Sequence, residues 1–372
     1  MRVVYFSIFF AWACCSLSGS LSPFGATQAP ISTEGEGKVF GESLDAMLAQ
    51  DKRNKKPAAL TPAQLAALAI VRGDKGSGSA FVCKMNDQFF VVTNAHVLSG
   101  NDKFTVTAVN GTEFTVQDIF VGHKFDVALI RVAEEPTSYL EVLEDILNVV
   151  SIGDEVIIPG NARGGSVVTQ THGKVLGIGP ELIEVDAQFV SGNSGSPILH
   201  APSGKILGLA TYYVEYRIAD SLQDKSDSKK KEMQNRRWFG FRLDTIKNWD
   251  RIDWNRFAAE GRLMAQLDDR TQALLALFNN KNALMQSRDR KIQQAISYFY
   301  RDVRKAGVTD DYFTQRCQSL MRDLRNAATE DLRSVRPQYG FHREQLEEIR
   351  KTREQIEESL VHVEDFFRER RR

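Results

Sequence analysis

The chain lacks an excess of charge of either sign, because 48 Lys and Arg residues stand against 48 Asp and Glu residues. A balanced chain of 372 residues gives no reason to expect a nucleic-acid partner, and its length allows two domains of ordinary size. The 6 histidines are scattered, and none forms a paired ligand motif with Cys, Asp or Glu at helix or hairpin spacing. We therefore expect no metal and no cofactor.

Cysteine is also scarce. Two of the 4 cysteines lie near the N-terminus, and the others are Cys83 and Cys317. Their spacing does not decide whether these two pair. Cys83 alternates with apolar neighbours in a predicted strand, and Cys317 lies on the apolar stripe of a predicted helix. We therefore interpret both as buried thiols.

Residues 1–20 have the layout of a secretory signal peptide, in which a basic residue precedes an apolar run over 3–13 and small residues follow. The run is too short to span a bilayer as a mature helix, so no stable membrane span is expected after its removal. We expect an exported protein, periplasmic or secreted; acylation at Cys14, as in a lipoprotein, is a minor alternative. Residues 21–60 mix Pro, Gly, Ser, Glu and Lys and predict a flexible linker.

Residues 61–249 consist of short β-rich runs separated by turn residues. The runs cover 68–71, 80–84, 89–93, 104–109, 114–120, 127–132, 156–159, 166–171, 182–185, 197–199, 206–213 and 239–243. So many short strands at regular spacing predict an all-β domain, an antiparallel double barrel. Such a scaffold places functional residues in the cleft between its two barrels.

Three motifs in this region carry chemistry: His96 follows a predicted strand, Asp126 precedes an apolar run, and Ser191, Ser194 and Ser196 crowd a glycine-rich loop. A serine hydroxyl is a weak nucleophile until an imidazole accepts its proton, and a buried carboxylate holds that imidazole in the right tautomer. A carboxylate beside so apolar a run is costly to bury without a partner, and His96 is the natural one. The order His, Asp, Ser predicts a serine endopeptidase.

Several longer segments agree with this prediction: GSGSAF at 76–81, TNAH at 93–96, FDVAL at 125–129, IGDEV at 152–156 and GNSGSP at 192–197. Through them, roughly residues 65–244 resemble a trypsin-like serine peptidase of the HtrA/Deg type. The resemblance implies a chymotrypsin-like fold with two six-stranded antiparallel barrels. It also implies a catalytic triad of His96, Asp126 and Ser194, and it leaves His123 outside the triad as a surface loop residue.

The loop around the serine is expected to form the oxyanion hole, which the resemblance places at Gly192 and Asn193. A tight turn there can aim the backbone N–H groups of Gly192 and Ser194 at the charge formed during acyl transfer. The family usually has glycine where this chain has Ser196, so a hydroxyl is added near the nucleophile.

Substrate specificity is implied by the resemblance at four positions. Gln188 falls at the base of the primary pocket, and Thr211, Tyr212 and Tyr213 form the edge that pairs with a substrate strand. The pocket has no obvious charge, and Tyr213 stands where a small residue would leave depth. We therefore expect a shallow pocket for small or medium apolar side chains. The polar insert 220–237 falls where the family carries a loop that shapes the active site, or is a plain surface loop.

After residue 246 the strands are expected to stop, and residues 250–372 show apolar residues at helical spacing. Four stripes follow one another: Phe257, Met264, Leu267, Leu274 and Phe278; Ile292, Ala295, Ile296, Phe299 and Val303; Phe313, Cys317, Leu320 and Leu324 after the N-cap Thr309; and Leu346, Ile349, Ile356, Leu360, Val363 and Phe367. The last approaches a heptad that Arg353 breaks. Two ways of covering the stripes stay open, an intrachain bundle or a coiled coil that makes a homo-oligomer.

We expect an exported serine endopeptidase that works through an acyl-enzyme. The resemblance to protein-quality-control proteases implies unfolded or damaged polypeptides as its substrates. The alternatives are a narrow processing protease and a non-catalytic trypsin-like scaffold or binding protein that acts through its C-terminal helices. No PDZ domain is recognisable, because the region after the barrels is predicted to be helical rather than mixed α/β, so peptide-end sensing is not implied.

Overall fold

The punctuated apolar runs form strands at nearly every predicted position. The structure, a computed structural model, describes residues 59–85, 87–215, 236–279, 289–304, 309–329, 332–360 and 367–368. The predicted signal peptide, nearly all of the predicted linker and most of the insert 220–237 lie outside these residues. Within the described ranges, no helix has the length and apolar character needed to cross a membrane.

The elements of the first half are α1 (Pro62–Ala66), β1 (Leu68–Gly73), β2 (Ser77–Met85), β3 (Gln88–Thr93), α2 (Ala95–Leu98), β4 (Phe104–Ala108), β5 (Glu113–Phe114), β6 (Val116–Gly122), β7 (Ala128–Val132) and β8 (Leu140–Glu141). Those of the second half are α3 (Ile146–Val149), β9 (Glu155–Gly160), a 3-10 turn (Ala162–Gly164), β10 (Thr169–Ile178), β11 (Leu182–Val185), β12 (Pro197–His200), β13 (Ile206–Glu215), β14 (Arg236–Arg242) and β15 (Trp249–Arg251). The helical region contains α4 (Trp254–Asn279), α5 (Arg290–Val303), α6 (Asp310–Thr329) and α7 (Gly340–Ser359).

The N-terminal strands form one sheet in the order β15, β6, β7, β3, β2, β1, β4, β5, with β8 paired to β2 in parallel. Strands from both ends of this order contribute to one core, in which Val71, Val91 and Ile130 are fully buried. The C-terminal strands close a barrel in the order β10, β11, β14, β13, β12, β9, around residues such as Ile158 and Ile183. The predicted chymotrypsin-like double barrel is confirmed, although the first half is a curled nine-stranded sheet and not a closed six-stranded barrel.

Several strand boundaries differ from the prediction, and β8 was not predicted. The predicted run 114–120 is divided, because β5 ends at Phe114 and β6 begins at Val116. β10 begins at Thr169 rather than at Ser166, which has a φ of 59° and donates its N–H to the Asn161 side chain. The strands also do not stop at residue 246, because β15 pairs with β6. The predicted domain boundary at 249/250 therefore falls inside a strand.

The helical stripes are covered within the chain, as the bundle alternative predicted. α4 packs on α7 and α5 packs on α6, and α6 also contacts α4 and α7. Most predicted stripe residues are buried in these contacts, and the N-cap at Thr309 accepts the Tyr312 N–H at 3.3 Å. The side chains of Phe278 and Val363 lie outside the described part of the stripes.

Two ionisable groups are buried inside the bundle. Arg353, which breaks the heptad, donates to the Thr271 hydroxyl at 2.7 Å and to the Leu267 carbonyl at 2.9 Å. Asp268 accepts from the Gln272 amide at 3.2 Å through Oδ1, whereas its Oδ2 has no partner among the described residues. Burial raises the pKa of Asp268 to about 6. The bundle therefore contains a carboxyl group that is poorly compensated when ionised.

Both cysteines of the described residues are buried, as expected. Cys83 lies in β2 and Cys317 in the core of the helical bundle. Burial raises the pKa of the Cys83 thiol to about 12, and the negative charge of Glu141 adds to the effect. Both side chains therefore serve as small apolar core groups.

Candidate active site

His96 and Asp126 meet where β3 ends and β7 begins, at one end of these two neighbouring strands of the N-terminal sheet. His96 lies in α2, the single helical turn after β3, and Asp126 lies in the turn between β6 and β7. The His96 Nδ1 atom is 2.6 Å from Asp126 Oδ2, and the His96 backbone N–H donates to Oδ1 at 2.8 Å. Both side chains are mostly buried, at 18% and 15% exposure. Because a carboxylate only accepts, Nδ1 carries the proton and Nε2 is the basic nitrogen.

Asn94 fixes the Asp126 turn and joins the two β structures. Its side-chain amide donates to the Asp126 carbonyl at 2.6 Å and to the Thr211 hydroxyl at 3.0 Å. Thr211, on β13, donates in turn to the Leu209 carbonyl at 3.0 Å. Asn94 is fully buried, so these bonds form in a site shielded from water. The sequence around Asn94 did not indicate this role.

The Ser194 loop lies against the residues that lead to His96. The Ser194 carbonyl accepts the Ser79 N–H at 2.8 Å. Gly195 has a φ of 89°, and a Cβ atom there would overlap the Ser79 carbonyl oxygen and lie 2.5 Å from the Thr93 hydroxyl. Thr93 is three residues before His96. The loop therefore needs glycine next to Ser194 in order to approach the His96 segment.

The Ser79 side chain holds the Ser194 loop through hydrogen bonds. Its hydroxyl accepts the Asn161 backbone N–H at 2.8 Å and donates to the Gly192 carbonyl at 2.7 Å. Asn161 follows β9 in the C-terminal barrel, whereas Ser79 lies in β2 of the N-terminal sheet. Sequence reasoning missed this residue, although it lies inside the GSGSAF segment that was singled out. The GSGSAF motif marked this segment as part of the site. It gave no indication that Ser79 bonds Gly192, which lies more than a hundred positions away.

The backbone N–H groups of the loop divide into two sets. Asn193 donates to the Val190 carbonyl at 2.9 Å, Gly195 to the Ala210 carbonyl at 3.2 Å and Ser196 to the Asn193 carbonyl at 2.8 Å. Gly192 and Ser194, in contrast, donate to no acceptor in the described part of the chain. The N–H groups of Gly192 and Ser194, on either side of Asn193, are thus left to bind an external acceptor. The predicted oxyanion residue Asn193 has its N–H engaged inside the loop.

The sequence around these groups matches a known domain. Residues 78–209 fit the family model of the trypsin-like peptidase domain. This part of the chain is similar to trypsin-like peptidase domains. The match includes the segments that carry His96, Asp126 and Ser194.

Relatives of the peptidase domain are HtrA/DegP-type serine proteases. The chain is 33% identical over 141 residues to the "Probable periplasmic serine endoprotease DegP-like" of Brucella suis, a match to 36% of this chain and 27% of that protein. It is 36% identical over 160 residues to "Serine protease HTR4" of Rattus norvegicus, a match to 39% of this chain and 31% of that protein. The chain thus spans about a third or less of the length of these relatives.

Solved structures resemble the chain more distantly. The active form of the Rv3671c protease from M. tuberculosis matches with a TM-score of 0.40 and 20% identity, and the alignment covers 54% of this chain and 90% of that one. The AlgW protease of the HtrA type, solved with a tripeptide, matches with a TM-score of 0.36 and 19% identity, over 49% of this chain and 58% of that one.

The predicted substrate-contacting residues lie on β13 and before the Ser194 loop of the peptidase domain. Gln188 is exposed between the buried residues Ala187 and Phe189. Tyr212 pairs with Phe239 of β14, and their rings are 5.4 Å apart. Tyr213 continues the same strand. The structure therefore brings Thr211 to the His96 and Asp126 site and places the two tyrosines next along the strand.

Other acidic and histidine residues of the peptidase domain are engaged elsewhere. Asp154 accepts the Ser151 N–H at 2.7 Å and lies 3.1 Å from the His200 ring, and Asp186 accepts the Lys174 N–H at 2.5 Å. His123, expected to be a surface loop residue, lies in the turn after β6 with its side chain 40% exposed and 3.0 Å from the carboxylate of Asp250 in β15. Its position is a structural contact outside the His96 and Asp126 pair.

Proposed function

We propose that the chain is a serine endopeptidase that cleaves polypeptides through an acyl-enzyme on Ser194. The observation that carries the proposal is the double contact of Asp126 with His96, through the ring at 2.6 Å and the backbone N–H at 2.8 Å. This arrangement holds the imidazole in the tautomer that can accept a proton from a serine hydroxyl at Nε2. Asp126 then stabilises the imidazolium that forms.

The nucleophile in this proposal is Ser194 because its loop contacts β2 at Ser79 and the end of β3 at Thr93, three residues before His96. Ser79 bonds the Ser194 carbonyl, and Gly195 fits beneath Thr93. After proton transfer to His96, the Ser194 oxygen attacks the peptide carbonyl, and the same imidazole returns the proton to the leaving amine. Water then hydrolyses the acyl-enzyme by the reverse sequence of proton transfers.

The oxyanion of the tetrahedral intermediate would be bound by the N–H groups of Gly192 and Ser194. Support comes from the absence of an acceptor for both N–H groups among the described residues. The Ser79 bond to the Gly192 carbonyl and the Val190 bond to the Asn193 N–H fix the loop before substrate arrives. Preorganised donors of this kind each contribute about a hundred- to a thousandfold in rate. Asn193 would act by shaping the loop, and not as a donor.

An extended substrate would pair with β13 on the side opposite β14. On that side β12 begins at Pro197, which pairs with Leu209, so the described β12 residues do not continue alongside Thr211 to Tyr213. Main-chain pairing there would bring the scissile bond to Ser194. The uncharged Gln188 at the predicted pocket base supports a preference for small or medium apolar side chains. A peptide library tests this part, and strong cleavage after Arg, Lys or Glu would refute it.

Unfolded or damaged polypeptides in an exported compartment are the substrates that we propose. The support is the similarity to proteins named as periplasmic DegP-like endoproteases, together with the signal-peptide pattern of residues 1–20. Comparing cleaved proteins after adding the enzyme to folded and heat-unfolded extracts tests this point. Cleavage of one folded protein at one site would instead identify a processing protease.

A fluorophosphonate probe tests the central proposal, because it forms a covalent bond with an activated serine. We expect labelling of the wild type and of Ser191→Ala, which removes an exposed hydroxyl from the same loop. We expect no labelling of Ser194→Ala. An unlabelled wild type across conditions would refute the enzyme and favour the non-catalytic scaffold.

A further inference from the structure

The helical region touches both loops that carry the proposed catalytic pair. Phe257 of α4 and the segment before α7, with Tyr339, are part of the core of the N-terminal sheet. On α4, a Cβ atom at Gly261 would overlap the Ser99 hydroxyl and lie 2.5 Å from the Gly100 nitrogen. At the start of α7, a Cβ atom at Gly340 would overlap the His123 carbonyl oxygen. Glycine at these two positions lets the helices contact the loop backbones directly.

A hydrogen-bonded bridge connects the first loop to both helices. The Ser99 hydroxyl is 3.0 Å from His342 Nε2, and His342 Nδ1 is 3.0 Å from the Glu260 carboxylate. Glu260 also accepts the Gln338 N–H at 2.9 Å. Ser99 caps the C-terminus of α2, the single turn that contains His96. A movement of Ser99 therefore moves the turn on which the imidazole is mounted.

The protonation of the bridge follows from its surroundings. Burial would raise the pKa of Glu260, but the hydrogen bonds from His342 and the Gln338 N–H outweigh it and hold the pKa below its ordinary value. Burial lowers the pKa of His342, despite the neighbouring Glu260 carboxylate. A neutral imidazole donates from Nδ1 to the carboxylate and accepts the Ser99 proton at Nε2. All three groups are thus satisfied in one fixed arrangement.

Ser99, His342 and Glu260 have the residue types of a hydrolytic triad, but their position excludes that role. The His342 side chain has 0% exposure, and its ring lies 4.5 Å from the Phe257 ring between centroids. Because this imidazole is fully buried, it cannot pass a proton to the leaving group of a substrate. The bridge is therefore a structural connection between the helices and the His96 turn.

A second connection reaches the loop of Asp126. The His123 ring is 3.0 Å from Asp250, which follows the first residue of β15, and Asp250 also accepts the Gly340 N–H at 3.2 Å. The His123 N–H donates to the Asn248 carbonyl at 3.0 Å. His123 is three residues before Asp126 in the same turn. Each member of the pair is thus connected to the helical region three residues away in sequence, His96 through Ser99 and Asp126 through His123, the latter by way of Asp250 in β15.

We propose that the helical region is a positioning element of the peptidase site. His342 holds the Ser99 segment, and Gly340 holds the His123 segment through Asp250 of β15, so that His96 and Asp126 keep their mutual geometry. The inference rests on the proposed function. His342, Glu260 and Asp250 are positioning residues, because they act on the loops and do not contact substrate. Misplacement of a catalytic group by about 1 Å is enough to lower the rate about a hundredfold.

The test compares His342→Ala with Ile296→Ala in the full chain. Ile296 is buried in the α5 and α6 part of the bundle and contacts neither loop. We expect His342→Ala to lower kcat and the rate of fluorophosphonate labelling about ten- to a hundredfold with little change in KM. Ile296→Ala destabilises the bundle but leaves both rates unchanged. His342→Gln, which can still bond Ser99 and Glu260, restores part of the rate.

Equal loss in Ile296→Ala, or wild-type rates in a folded His342→Ala, would overturn the inference while the proposed function stands. An unlabelled wild type would instead overturn the proposed function. In that case the hydrogen bond between His96 and Asp126 can still be measured by NMR. The proton on His96 Nδ1 gives a downfield signal, which is assigned by its loss in Asp126→Asn. We expect the signal to broaden in His342→Ala and to stay sharp in Ile296→Ala; a sharp signal in both would overturn the inference. Should His342→Ala fail to fold, His123→Ala tests the second connection by the same measurements.

Discussion

Replacing Asp268 by Asn should stabilise the protein at neutral pH. Burial raises the pKa of this carboxyl from 3.8 to about 6, and its Oδ2 has no partner among the described residues. The folded state therefore binds the proton more tightly than the unfolded state, so stability falls as the pH rises from about 4 to about 6 and is level above that. At about 1.4 kcal/mol per pKa unit, the ionised carboxyl costs about 3 kcal/mol above pH 6.

Urea unfolding followed by far-UV circular dichroism measures this cost, because the helices dominate the signal. We expect Asp268→Asn to raise the free energy of unfolding at about pH 8 by up to about 3 kcal/mol and to change it little at about pH 4. Glu354→Gln, at an exposed position of α7, is the matched control and should change stability by about 0.5 kcal/mol or less. The same pH dependence in wild type and Asp268→Asn would refute the reasoning.

Three further predictions concern the peptidase domain. Asp126→Asn should lower kcat about ten-thousandfold while the circular dichroism spectrum is unchanged, because the imidazole then adopts the wrong tautomer; a loss below about tenfold would contradict the role of Asp126. Gly195→Ala should abolish labelling of Ser194 and lower the thermal midpoint, because the new methyl group overlaps the Ser79 carbonyl; wild-type behaviour would show that the loop can yield. Cys83 should react with a thiol reagent only after unfolding, judged against Cys83→Ser, and rapid reaction of the native chain would contradict its burial.

The residues of the proposed triad could be predicted because each lies in a local sequence with its own signal. The contacts that hold them could not. The side chains of Asn94 and Thr211 meet across 117 positions, and those of Ser99 and His342 meet across 243. A hydrophobic pattern reports which face of an element is buried, but it carries no information on which distant polar group will satisfy a buried one.

Strands of two or three residues were also beyond prediction. β8 and β15 are too short to show an alternating pattern, and they form because a neighbouring strand offers a row of unpaired groups. The helical stripes, by contrast, extend over several turns, and their faces were identified correctly. Which helix covers which stripe could not be predicted from the stripes, and the periodicity treated Arg353 as an interruption although its side chain bonds α4.

The three residues of β15 determine where the chain can be truncated without exposing a sheet edge. Without them, one border of β6 would present bare backbone donors and acceptors, which is the kind of border that recruits strands from other molecules. A fragment ending near residue 246 should therefore self-associate. A fragment ending just past β15 would still expose the apolar core residues of the N-terminal sheet that Phe257 and Tyr339 cover. The N-terminal sheet is therefore complete only when β15 and the first residues of the helical region are present.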